Sequence, residues 1–168
     1  MSMAVQTNYN FGFSKGVAGG LFDLSAHEVG TRQAEGAGIC FGIGVVAGAN
    51  KGTDVTLPTS ATVSKDFEGV VVHNSVMVEK GMDHRVVIEE KRTVGCLRYG
   101  KIWIKIGKNA APAYQEPIYF IIDGEEAGLF TTASDSDSVK VAVNGVFLGI
   151  VDDGIANAEF FPIQMKME

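Results

Sequence analysis

Short runs of apolar or alternating residues recur along the whole chain, and none keeps a helical period for more than about two turns. ICFGIGVV, FEGVVVH, HRVVIEE, VGCLRY, KIWIKI, PIYFII, SVKVAVN, VFLGIV and AEFFPIQM are rich in Val, Ile and Phe. Gly, Pro, Asn or Asp punctuates them, as between strands. The pattern predicts an all-β fold with very little helix, a jelly-roll-like β-sandwich or barrel. Glycine makes up 21 of the 168 residues and follows no Gly-X-Y period, so it serves turns and bends rather than a collagen-like repeat. A chain of this length buries a sizeable core without metal or disulfide staples, and one domain over residues 17–168 is expected.

Residues 1–16 differ. QTNYNFGFSKG sets Tyr9, Phe11 and Phe13 among Asn and Gly with no continuous apolar pattern. The three aromatics alternate, so an extended N-terminal arm would present them on one face to something outside the domain. Two local features stand out further along. Asn144-Gly145, between SVKVAV and VFLGIV, predicts a tight type I′ hairpin. Gly100, inside VGCLRYGKIWIKI, predicts a second reversal or a bulge.

The stretch GKIWIKIGK puts Ile102, Ile104 and Ile106 on one face of a strand and Lys101, Trp103 and Lys105 on the other. The isoleucines mark the core side. The lysines mark the other face as solvent, which leaves the single tryptophan of the chain exposed or covered by a loop.

Catalytic patterns are missing. GAGICFGIG spaces its glycines as G-x-G-x-x-x-G, unlike a dinucleotide fingerprint, and fits a bent or closely packed strand. His27, His73 and His84 form no local pair of the kind zinc sites use, and Asp83 beside His84 has no G-x-S-x-G nucleophile to complete a triad. Glu89-Glu90, Glu125-Glu126 and Asp152-Asp153 are adjacent in sequence, so on a strand they point apart and read as solvated turn residues. Asp135-x-Asp137 offers oxygens for calcium but lacks the rest of an EF-hand loop, and TTASDSDS reads as an exposed loop. Cys40 and Cys96 sit in separate apolar runs and read as buried thiols. No catalytic, cofactor or metal residue is assigned. A net charge of −6 argues against nucleic acid. No segment is long and apolar enough for a bilayer, and residues 1–10 lack a signal-peptide pattern, so a soluble protein made in a cytoplasm is expected.

The order of GVAGGLFDLSAHEVGTRQAEGAGICFGIGVVAG, FEGVVVHNS, VGCLRYGKIWIKI, PIYFIIDGEEAGLFTT and VNGVFLGIVDDGIANAEF resembles the structural cement, or head-decoration, proteins of tailed bacteriophages over residues 16–160. The resemblance implies a non-enzymatic virion protein with a jelly-roll-like domain on the outer surface of the capsid, made in the host cytoplasm. It implies the major capsid protein as partner, whose neighbouring subunits it bridges, and self-association as a homo-dimer or homo-trimer. It also implies an N-terminal extension that reaches a neighbour. On that reading Tyr9, Phe11, Phe13 and Trp103 are the candidate contacts. A different class, a soluble carbohydrate-binding or hydrolytic β-sandwich with Trp103, Tyr99 and nearby carboxylates lining a groove, is the alternative.

Overall fold

The computed structural model describes residues 16–74 and 87–162. Among these the chain is β throughout, apart from one 3-10 turn at Ser64–Asp66, as the recurring short runs predict. The strands are β1 (Glu28–Ala34), β2 (Gly44–Ala47), β3 (Asp54–Thr56), β4 (Phe67–Val71), β5 (Thr93–Lys105), β6 (Pro117–Ile121), β7 (Phe130–Thr131), β8 (Lys140–Asp152) and β9 (Ile155–Phe160).

Two apolar cores lie on either side of a wall made by β2, β4 and the first half of β5. Adjacent residues on a strand point to opposite faces. Each wall strand therefore divides an apolar pair between the cores: Val45 and Val46, Val71 and Val70, Cys96 and Leu97. The first of each pair joins Ile39, Ile43, Val55 and Ile88 in an aliphatic core. The second joins Ile102, Ile104, Phe120, Phe130, Phe147 and Phe160 in an aromatic core. Strands buried on both faces read as unbroken apolar runs, which is why GIGVV and EGVVV carry no polar stripe.

Each core is ringed by strands. β1 pairs with β3 in parallel and with β5 antiparallel, so β1, β3, β2, β4 and β5 close around the aliphatic core. Beyond the wall β5 continues into the order β9, β8, β6, β7. A bridge between Ile106 and Phe130 returns this second set to the end of β5. One thirteen-residue strand thus belongs to both rings. Glu28 pairs with Tyr99 and Val29 with Leu97, which leaves Arg98 as an extra residue on β5. The extra residue shifts the parity of every side chain after it. Val94 and Cys96 accordingly face the aliphatic core, whereas Ile102 and Ile104 face the aromatic one. Gly100 follows at φ +124, with His27 so close that a Cβ would stand 2.5 Å from its Cβ. The irregularity expected near Gly100 is therefore a bulge and bend in a continuous strand, with no reversal.

The predicted Asn144-Gly145 hairpin is overturned. Both residues lie inside β8, and Gly145 pairs with Phe160. The β6 register slips here, Pro117 standing opposite Val146 and Tyr119 opposite Ala142, so the segment bulges and the strand goes on. Gly145 supplies room: a Cβ there would lie 2.7 Å from the Glu159 carbonyl oxygen. The hairpin turns instead at Asp153 and Gly154, with φ of 40 and 81 between the paired Asp152 and Ile155. Both positive φ values suit a two-residue primed turn. Asn-Gly and Asp-Gly carry the same local signal, and pairing with β9 chooses between them.

Candidate functional site

Tyr9, Phe11 and Phe13 lie outside the described residues, as do Asp83 and His84. Trp103 is described, and of the two expected outcomes the covered one holds: it is only 5% exposed within its own chain. Residues 16–27 run along the outer edge of β5 as a strap. The Gly19 amide donates to the Trp103 carbonyl at 2.7 Å, Trp103 donates to Gly20 at 2.9 Å, and Phe22 donates to Lys101 at 3.0 Å. Gly16 rests on the indole so closely that a Cβ would lie 2.1 Å from Cδ2, and the Phe22 ring packs at 5.8 Å between centroids.

The flanking lysines are also engaged. Lys101 pairs with Asp23 of the strap at 3.0 Å, and the Lys105 ammonium reaches the Cys40 thiol at 3.3 Å. Of the charges that mark this face as solvent from sequence, Lys101 is the one that fastens the cover. The signal for that cover was GVAGG, a cluster of small residues able to approach an indole closely.

The strap carries its own turn. The Asp23 carboxylate accepts hydrogen bonds from the Ser25 amide at 2.9 Å, from the Ser25 hydroxyl and from Lys101. The Ser25 bonds, helped by Lys101, hold this carboxyl down at about 2, and the Asp23 contact raises Lys101. Leu24, at the tip, is 92% exposed.

A groove of about 530 Å³ opens where the two rings meet. Phe67, Val143, Phe160 and Phe161 supply an apolar floor, and Tyr99 and Arg98 line one side. Phe67 belongs to the ring cluster beneath, stacked on Phe160 at 5.8 Å and edge-on to Phe120 at 5.2 Å. Trp103 is not among the lining residues, so the glycan groove expected from Trp103 and Tyr99 together is not assembled.

The polar loop at residues 131–138 is exposed at Ala133, Ser134, Ser136 and Asp137, but Thr131, Thr132 and Asp135 are buried. Asp135 accepts from the Thr131 hydroxyl at 2.8 Å and from the Asp137 amide at 3.1 Å. Hydrogen bonding, led by the Ser138 hydroxyl, lowers its carboxyl below the ordinary range. The Lys140 ammonium donates to the carbonyls of Thr132, Ala133 and Asp135. The Lys140 ammonium gathers the carbonyls of this loop, and the Asp135 carboxylate serves as a loop anchor.

Among the described residues no group of His, Cys, Asp and Glu is placed to hold a metal ion. His27 meets the Ser25 carbonyl at 2.8 Å, and His73 packs on Phe41 at 4.9 Å. Cys96 is buried and its thiol is pushed up to about 12 by desolvation, whereas Cys40 is only partly buried, packed against the aliphatic core.

A family model described as structural cement protein (E217 gp24/Pam3 gp6) matches residues 5–165. A chain of the structure described as "The capsid of Myoviridae Phage XM1" is similar in fold, with a TM-score of 0.70 at 19% identity. The match covers 94% of this chain and 97% of that one. No curated protein matches.

Proposed function

This chain belongs to the structural cement protein family of phages, and from that premise we propose that it binds the outer surface of a phage capsid and bridges neighbouring major capsid subunits. Family membership makes it a virion structural protein and implies a non-enzymatic role. The single observation carrying the finer reading is that match, which spans nearly the whole chain.

The physical task would be to add contact area across seams of a shell under internal load. A protein engaging two subunits at once gains from effective concentration, so each contact need be only modest. One strand shared by both rings suits such a bridge, because load on one ring passes through the continuous hydrogen-bonded backbone of β5 into the other. Tyr9, Phe11 and Phe13 of the arm are proposed as direct contacts. Trp103 is proposed to act indirectly, by seating the strap. Self-association as a dimer or trimer belongs to the same proposal.

The test is a cryo-EM map of the parent particle with and without this protein. Density for the chain outside the shell, touching two capsid subunits, is the expected result. Density inside the shell, or on one subunit alone, overturns the bridging role. Removing residues 1–15 should leave thermal unfolding of the free protein nearly unchanged and lower its capsid occupancy. Equal occupancy by the truncated and intact proteins would dismiss the arm contacts.

A further inference from the structure

We infer that Leu24, at the tip of the strap, is a preformed anchor that inserts into an apolar pocket of the capsid subunit. The inference rests on the capsid-binding role proposed for the chain and adds to it a specific point of contact.

Leu24 is the most exposed of the large hydrophobic side chains among the described residues, at 92% against 71% for Tyr114 and 56% for Val17. A single exposed leucine is ordinary on a protein surface. What distinguishes this one is how its backbone is held. The residue before it, Asp23, is fastened to β5 through the Lys101 ammonium at 3.0 Å and to the far side of the turn through the Ser25 amide at 2.9 Å. Phe22 donates to the Lys101 carbonyl at 3.0 Å, and the His27 ring meets the Ser25 carbonyl at 2.8 Å. On the strand side, Gly100 closes against His27.

The Phe22 and Asp23 bonds tie one flank of Leu24 to the strand that both rings share, and the Ser25 bond ties the other flank back to Asp23. Nearly all of its side-chain surface stays in water, so the fold gains little from leucine at this position. Two costs of binding are thereby reduced. The loop need not be ordered on contact, and a leucine has little rotamer freedom to lose. Burying the side chain in a partner removes apolar surface from water, which favours the complex. The partner chemistry that fits is an apolar pocket wide enough for one branched aliphatic side chain.

The experiment compares wild type, Leu24→Ser and Leu24→Met. Each is titrated onto capsids stripped of this protein, and for each the free chain is also measured by thermal unfolding and by solution mass. The expected result is a Leu24→Ser affinity about 10-fold or more below wild type. Its unfolding midpoint and solution mass should be unchanged, and most of the affinity should return in Leu24→Met. Wild-type affinity in Leu24→Ser overturns the inference while leaving the capsid role intact. A change in solution mass instead assigns Leu24 to contact with a second copy and also overturns it. If wild type fails to bind stripped capsids, the proposed function falls and the anchor falls with it.

Discussion

The two cores share a wall yet are closed by different means. The aromatic core is ringed by long strands: β5 and β8 run thirteen residues each, and β9 pairs continuously with β5 from Ile155 to Phe160. Its interior is a cluster of Phe67, Phe120, Phe130 and Phe160 rings with centroids 5.2–6.1 Å apart. Gly44 in the wall makes room for it, since a Cβ there would stand 2.5 Å from the Phe120 ring. The aliphatic core shares the first half of β5 and is otherwise bounded by the seven-residue β1 and by β2, β3 and β4, which run three to five residues. Ile39, Phe41 and Ile88 complete it from outside any strand. The clustered rings therefore sit where β8 and β9 extend the pairing, and apart from Phe41 the side chains closed in by loops are smaller. Aromatic side chains bury more area each and gain from edge and offset contacts. The aromatic side should accordingly be the more costly one to damage.

The sharpest test of that difference is Phe130→Ala, which should destabilise the free protein by about 3–5 kcal/mol, against the lower part of about 2–5 kcal/mol for Ile39→Ala on the aliphatic side. Chemical denaturation of the free chain measures both, and equal losses would dissolve the distinction. Trp103→Ala probes the strap, which covers the outer face of the strand. With the indole 5% exposed, a loss of about 3–5 kcal/mol in the isolated chain is expected, comparable to the 2–5 kcal/mol for Ile104→Ala on the inner face. A near-neutral Trp103→Ala would mean that the strap does not cover this face in solution.

Smaller effects should separate the two glycines of the last strand pair. Gly145→Ala crowds a backbone carbonyl and should cost about 1–3 kcal/mol. Gly154→Ala meets no atom within 4 Å and should cost only the strain of a positive φ, about 1 kcal/mol. The reverse order would restore the hairpin to Asn144-Gly145.

The least effect is expected from pH. A depressed carboxyl contributes stability above its unfolded value, near 4, and loses it as pH falls through the folded value. For Asp23 that folded value is about 2, so the strap fastening should be complete above about pH 4 and released toward pH 2. The carboxyl carbon shift of Asp23 and the amide shift of Phe22 should titrate together, and Asp23→Asn should remove the amide transition. A Phe22 amide that ignores the Asp23 titration would show that the ion pair does not hold the strap.

By itself the sequence determined the β class, the inward face of Ile102 and Ile104, and the family. Alternation, turn residues and ordered blocks are properties of the chain alone, so they can be read without partners. Its Asn-Gly pair predicted the hairpin turn at Asn144-Gly145, and the turn lies instead at Asp153-Gly154, whose Asp-Gly carries the same local signal. Only strand pairing decides which dipeptide turns, because β9 must lie beside β8 from Phe160 back to Ile155. Tertiary structure likewise decided the fate of Trp103. Two lysines label its face polar, yet Asp23 comes from 78 residues away to pair with one of them, and Gly16 closes on the indole. Asp135 was read as exposed within a polar run, and the ammonium of Lys140 and the hydroxyl of Thr131 gather the loop inward around it. In each case a residue's local character was legible and its partner was not, since burial depends on which distant segment supplies the matching hydrogen bonds and volume.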